Sequence, residues 1–434
     1  MAAEAVGITA LIVMLILMMF RIPIFVSLAL PGLFGILYLK DWTALSTALE
    51  TNIWDTSYSY TLSTLAMFVL MGEMLHLSGI SHELFGSFRA WFGRLKGGLG
   101  LSTIGASAIF AAASGSSVAN TGTIGVMASK EMLSAGYSRA LTGGTIISGG
   151  SLGILIPPST SLVIYGTLTE QSIGKLLAAG ILPGILLAFC FMITIYIAVS
   201  VKPEMAPPVG SGTWKERFVS LKSTIWILVL FIIVIGGMFA GFFGPTEAAG
   251  IGAFSAILLA MAKRKLNWKT FIEALKQTVL NSGFMFAILL AAFLFKYLLT
   301  VSKVPLWVST NLSNLEIPHF VMFLLIVLMY FILGAVMDTM GMIVVTVPIV
   351  VPIISGMGMD LVWFGIVLCI LVELAMISPP HGINCFVLDA VAPELKLGQI
   401  YKGSFLFMLP IFAVIIILYF LPQIALFLPG KMIG

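Results

Sequence analysis

Two stretches of the chain carry oxygen chemistry inside otherwise apolar sequence. The first is Ser114-Gly-Ser-Ser-Val-Ala-Asn120. Its hydroxyls, amide and any freed backbone carbonyls are hard oxygen donors, suited to an alkali cation. The second runs over residues 334–339 and holds Asp338, an acid in the middle of an apolar run. A charge there is costly unless paired or solvated, so an ion, proton or substrate contact is one reading. A carboxylate capping a broken helix end is the other, and the two are compatible. Downstream of each stretch lies a proline pair, Pro157-Pro158 and Pro379-Pro380. Proline has no N–H to donate and clashes with the preceding turn, so a helix must break at each pair. The break frees carbonyls before it and amides after it, and these suit a cation and an anion respectively. Residues 153–157 and 375–379 supply such carbonyls, and Ser378 and Asn384 add side-chain oxygens. The candidate anion or substrate contacts are Asn120, Ser159, Asp338, Thr339 and Asn384.

Competing readings apply to most of these groups. Small residues at 114–120 also let helices approach closely. His381 could titrate, but a lone histidine also serves as an ordinary hydrogen-bonding residue. Glu73, Glu247 and Glu373 are further acids in apolar runs, and Glu247 sits where a first-turn acid serves the helix dipole. Glu73 and His76 share a helix face, but without the HExxH signature they are too little for a metal site. No Walker A loop, nucleophile elbow or dinucleotide fingerprint occurs, so ATP-driven pumping and hydrolase chemistry lack support. Cys190, Cys369 and Cys385 sit in apolar stretches without a CxxC pattern and read as small core residues.

The elements that must position these residues are membrane helices. The 434 residues are 60% hydrophobic and 9% charged, against about 25% charged in a soluble domain. The net charge of +4 does not point to nucleic acid. Segment 6–20 lacks a basic leader and a cleavage site, so it reads as a span. Further spans are predicted at 23–39, 61–77, 175–201, 224–243, 245–262, 278–299 and 404–428. Backbone that leaves the helix at membrane depth is tolerated only against protein or a watery cavity. Residues 101–132 therefore predict a re-entrant helical hairpin with its tip near Ser114 and Asn120, and 320–354 is a second interrupted stretch. Segments 137–156 and 361–377 run into the proline pairs and continue as 159–167 and 382–390. Between spans, 40–55 reads as a polar break, 78–98 as a loop, 202–222 as the main internal boundary, and 263–276 as a surface amphipathic helix.

One spacing relates the two halves. Moving Pro157 onto Pro379 shifts the chain by 222 residues, and without gaps it carries Ser116 to Asp338, Ser117 to Thr339, Gly136 to Gly358 and Pro23 to Pro245. Five predicted crossings separate the two broken stretches, and an odd number inverts the second copy. An inverted pair of broken helices points to a secondary transporter with its site at the repeat interface. Starting the N-terminus outside leaves only Lys40, Lys175, Lys303 and Lys431 outside and Lys296 within a span; the rest of the 22 basic residues fall inside, as the positive-inside rule requires. The first hairpin then enters from the cytoplasm and the second from outside.

Five motifs in this order resemble the large membrane (M) subunit of tripartite ATP-independent periplasmic (TRAP) transporters, in its unfused form. They are the 114–121 hairpin, Gly153-Ile-Leu-Ile-Pro-Pro-Ser159, Gly244-Pro-Thr-Glu-Ala-Ala249, Gly334-x-x-x-Asp338 and Ile377-Ser-Pro-Pro-His-Gly-Ile-Asn384. The resemblance implies an all-α integral membrane protein of the bacterial inner membrane. This would be an elevator-type, inverted-repeat secondary transporter with two re-entrant helical hairpins and two proline-broken helices. Its implied work is sodium-driven import of an organic acid, such as a C4-dicarboxylate or acid sugar, without an organic cofactor. Implied partners are a periplasmic substrate-binding protein and a small four-helix membrane subunit. One implied sodium site uses Ser114, Ser116 and Ser117 with Gly153, Ile156 and Pro157; the other uses Gly334 with Ala375, Ser378 and His381. The family more often has Gly at position 375 and Thr at 378. The implied division is scaffold helices at 1–100, a transport unit at 101–174, a connecting span and loop at 175–222, scaffold helices at 223–319, a second transport unit at 320–400 and a last span at 401–434. Alternatives are another cation- or proton-coupled anion transporter, an intramembrane enzyme using Asp338 or Glu73 and His76, and a channel-like or scaffold subunit.

Overall fold

The structure, a computed structural model, describes residues 2–208, 214–313 and 317–432. Its described residues are helical almost throughout. The first half holds α1 (Ala3–Met19), α2 (Ile24–Leu39), α3 (Trp42–Ser57), α4 (Tyr60–Leu77), α5 (Ile80–Phe92), α6 (Gly98–Ser114), α7 (Ser117–Ser134), α8 (Arg139–Ser151), α9 (Thr160–Thr169) and α10 (Ile173–Val201). The second holds α11 (Trp214–Phe231), continued by a π turn and the single turn α12 (Gly237–Phe239), then α13 (Pro245–Ala262), α14 (Trp268–Val301), α15 (Val304–Ser313), α16 (His319–Leu333), α17 (Thr339–Gly356), α18 (Leu361–Ile377), α19 (Ile383–Val391), α20 (Leu397–Phe420) and α21 (Gln423–Leu426). Among the described residues, α4, α10, α13, α14, α17 and α20 are long and apolar enough to cross a membrane. Large side chains such as Phe20, Phe34, Phe189 and Phe242 point outward, which suits a lipid surface.

The 222-residue spacing extends beyond the proline pairs to the helix starts and their caps. Helix α7 starts at Ser117 and α17 at Thr339; α8 starts at Arg139 and α18 at Leu361. The residue before each is a side-chain cap, Ser116 and Asp338 for the first pair, Ser138 and Asp360 for the second. Each cap satisfies an orphan amide of the first turn, worth about 1 kcal/mol. Gly136 and Gly358, at φ +82° and +71°, take the left-handed turn that ends α7 and α17, a conformation costly for any residue with a Cβ. Both proline pairs contain a cis peptide bond. The halves also exchange partners: α2 packs on α14 and α4 on α13, while α9 packs on α17 and α7 on α19.

Each interrupted stretch folds back as a helical hairpin. Thr103 near the start of α6 donates to the Met132 sulfur near the end of α7, at 3.5 Å. The hydroxyls of Tyr330 in α16 and Thr346 in α17 share a hydrogen bond of 2.5 Å.

Several sequence expectations need correction. The polar break at 40–55 is helix α3, capped by Asp41 through the Ala44 amide at 2.7 Å. The loop at 78–98 contains helix α5, which buries Leu84 and Phe85 and stacks Phe88 on Phe92; one apolar face suffices to hold it on the bundle. The separate surface helix at 263–276 does not exist: α14 starts after the Asn267 cap and runs unbroken to Val301, because no proline, glycine or cap interrupts it between 268 and 282. The last span ends at Phe420, before Pro422. The connector at 202–222 is shorter than expected, since α11 begins at Trp214, and its residues 209–213 lie outside the described residues.

Candidate functional site

The two hairpin tips and the two proline breaks meet around one cavity of about 880 Å³. Residues at the N-termini of four helices line it: Ser117 of α7, Thr160 and Ser161 of α9, Thr339 and Met340 of α17, and Ile383 of α19. First-turn amides and the helix dipole favour an anion at such ends, and at α17 the Asp338 carboxylate already takes that place. The opposite wall comes from α4, with Gly72, Glu73 and His76, and from α14, with Asn281 and Met285.

At the first tip, Gly115 adopts φ +59°. A methyl group on it would lie 2.6 Å from the Pro158 carbonyl oxygen. One on Gly153 would lie 2.7 Å from the carbonyl of Ser116. The hairpin tip and the broken helix therefore touch backbone to backbone, and Thr160 Oγ1 donates across the contact to the Gly115 carbonyl at 3.3 Å. Ser116 accepts from the Ala119 amide, and Ser114 donates to the Ser116 carbonyl. Ser114, Ser116 and Ser117 all reach the cavity. Ile156 is buried and packs toward Gly184 of α10, so with Pro157 it lies behind the cavity wall.

The second tip repeats this design with different residues. Asp338 accepts from the Gly341 amide at 3.0 Å and lines the cavity with Thr339. A methyl group on Gly334 would lie 2.2 Å from Cβ of Ala375. The glycine at the tip thus makes room for an alanine in the broken helix, where the resemblance led to an expectation of glycine. Ser378 is buried and donates to the Ala375 carbonyl at 3.2 Å. His381 is exposed beside Phe386, and its carbonyl and that of Pro380 accept from the Tyr401 hydroxyl.

Three predicted contacts do not reach the cavity wall. Asn120 is fully buried and donates to the carbonyls of Ser107 and Gly149, tying α7 to α6 and α8. Ser159 turns inward to the Ile154 carbonyl while capping α9. Asn384 is buried with neither side-chain end hydrogen-bonded to a described residue. Conversely, Thr160, Ser161, Asn281, Glu73 and His76 line the cavity without having been assigned to it. Asn281 donates to Glu73 at 3.2 Å, and His76 Nδ1 and Thr123 Oγ1 share a hydrogen bond of 2.8 Å.

A family model described as "Tripartite ATP-independent periplasmic transporter, DctM component" matches residues 11–424. The chain belongs to this family. It is 34% identical over 409 residues to a C4-dicarboxylate TRAP transporter large permease of Pseudomonas aeruginosa, covering 93% of this chain and 94% of the relative. It is 30% identical over 377 residues to a sialic acid TRAP transporter large permease of Vibrio cholerae, covering 87% and 88%. Among solved structures, the YdaH transporter of Alcanivorax borkumensis superposes with a TM-score of 0.64 over 89% of this chain and 90% of that one, at 14% identity; at that identity the likeness is one of fold alone. As a TRAP large permease the chain is a multi-pass protein of the inner membrane and a transport subunit rather than an enzyme.

Proposed function

We propose that this chain carries an organic acid inward across the inner membrane, coupled to sodium, and that its two hairpins and two broken helices move together as the carrier. The carrying observation is the convergence of four helix N-termini and two hairpin tips on one cavity. The amide ends favour the carboxylate. Sodium, here a co-substrate, fits the hard oxygens packed behind them, with Ser114, Ser116, Ser117, Gly153, Ile156 and Pro157 serving one ion. Gly334, Ala375, Ser378 and His381 serve the second, largely through carbonyls. With an odd number of crossings between the repeats, the hairpins dip in from opposite faces, the first from the cytoplasm.

Family membership also supports two partners, a small four-helix membrane subunit and a periplasmic binding protein that delivers the acid. The relatives' named substrates, C4-dicarboxylates and sialic acid, share the carboxylate that helix N-termini favour.

The test is uptake by proteoliposomes containing the chain with both partners, across a panel of carboxylates. Accumulation is expected only under an inward sodium gradient. Equal uptake with potassium in place of sodium would remove sodium coupling.

A further inference from the structure

The cavity is poor in positive charge. Among the described residues that line it, the ionisable ones are Glu73, His76 and Asp338, with neither lysine nor arginine. The two carboxylates belong to different walls, Glu73 to α4 and Asp338 to the tip before α17. Among the described residues the ion pairs are Arg89–Glu131 and Lys263–Glu83, so neither cavity acid has a cationic partner there. Asp338 is partly committed to the Gly341 amide. Glu73 receives a neutral amide donor from Asn281 and is otherwise open to the cavity.

A dianion in this space would meet the helix N-termini with one end and an uncompensated carboxylate with the other. A carboxylate facing Glu73 away from bulk water would be repelled by it. We propose that the transported acid is a zwitterion: its carboxylate lies at the helix N-termini, and a nitrogen cation, an ammonium or amidinium, pairs with Glu73. Charge-assisted hydrogen bonds between such a cation and a carboxylate are among the stronger polar contacts. Glu73 is then the specificity-determining residue. This rests on the transport reading above and refines its substrate class.

The experiment measures equilibrium binding of matched pairs differing by one amino group: succinate and aspartate, glutarate and glutamate, propionate and β-alanine. The sample is the full chain with its small membrane subunit in lipid nanodiscs, in sodium. The aminated member of a pair should bind about tenfold or more tightly than its plain counterpart. Glu73→Gln should abolish that preference and tighten binding of the plain dicarboxylate, while Glu73→Asp, which keeps the charge, should retain the preference. Plain acids binding as tightly as their aminated partners, or a preference unchanged in E73Q, would overturn the zwitterion and leave organic-acid transport standing. Binding of neither class would overturn the zwitterion at Glu73, while sodium-driven accumulation with both partners in proteoliposomes tests the transport reading separately.

Discussion

Ser116 and Asp338 hold one position in the two halves and cap equivalent helices, yet one is neutral and the other an acid. Capping alone does not require the charge, because serine performs it at the first tip. The two roles of Asp338 are therefore separable. Asp338→Ala should lose the cap, lowering stability by about 1 kcal/mol, and should lose transport. Asp338→Ser should recover the stability, read by thermal melting, but not the uptake. Wild-type uptake by D338S would reduce Asp338 to a helix cap. The same contrast explains which residues were legible. Ser114, Ser116, Ser117, Asp338 and Thr339 stand out because polar groups interrupt apolar sequence around them. Glu73 and Asn281 sit on separate long helices, and only tertiary packing of α4 and α14 turns them to one cavity. Ser159 misled because it is the first hydroxyl after the break; its bond to Ile154 turns it inward, and the buried Thr160 and Ser161 line the cavity instead.

At the scale of elements, the repeats differ most where the first half uses two helices and the second uses one. Helix α3 ends at Ser57 and Ser59 caps α4, whereas α14 passes through the equivalent region without a cap. Hydropathy located the apolar part of α14 and missed its continuity, because a polar surface turn and an apolar span share one helical ladder. The hairpins were legible through their tips, since a glycine or a cap at a break is a local signal. Their direction of entry is a count of crossings, and chemical labelling tests it. Ser134 ends α7 and Ser355 lies in the last turn of α17, both exposed. In a Cys190→Ser background, with Cys369 and Cys385 buried, Ser134→Cys should react with an impermeant thiol reagent only from the cytoplasmic side. Ser355→Cys should react only from the periplasmic side. Labelling of both from one face would remove the inversion.

For the whole molecule, hairpins and broken helices touch one another closely, and α4 meets the first tip at Gly72, where a methyl group would lie 3.0 Å from the Ser114 carbonyl oxygen. Tip and break touch backbone to backbone, at Gly115 with Pro158 and at Gly153 with Ser116. Polar ties across to α4 and α14 are single hydrogen bonds, His76 to Thr123 at 2.8 Å and Lys296 to the Leu168 carbonyl at 3.2 Å. The second places a cation on the C-terminal end of α9, where the helix dipole favours it. Bonds of this kind contribute about 1 kcal/mol each, somewhat more where one partner is charged, and neither pairs two opposite charges. The carrier motion proposed above requires sliding at the α4–α7 seam, and nothing in the local sequence of either helix marks it. Sliding there must separate residues 76 and 123. A His76→Cys, Thr123→Cys pair, oxidised to a disulfide in a Cys190→Ser background, should stop uptake in proteoliposomes. Reduction with dithiothreitol should restore the level measured before oxidation, which separates tethering from loss of the native side chains. Uptake that persists with the tether closed would mean that α7 does not move against α4, and the carrier would have to work by a smaller opening around a fixed hairpin.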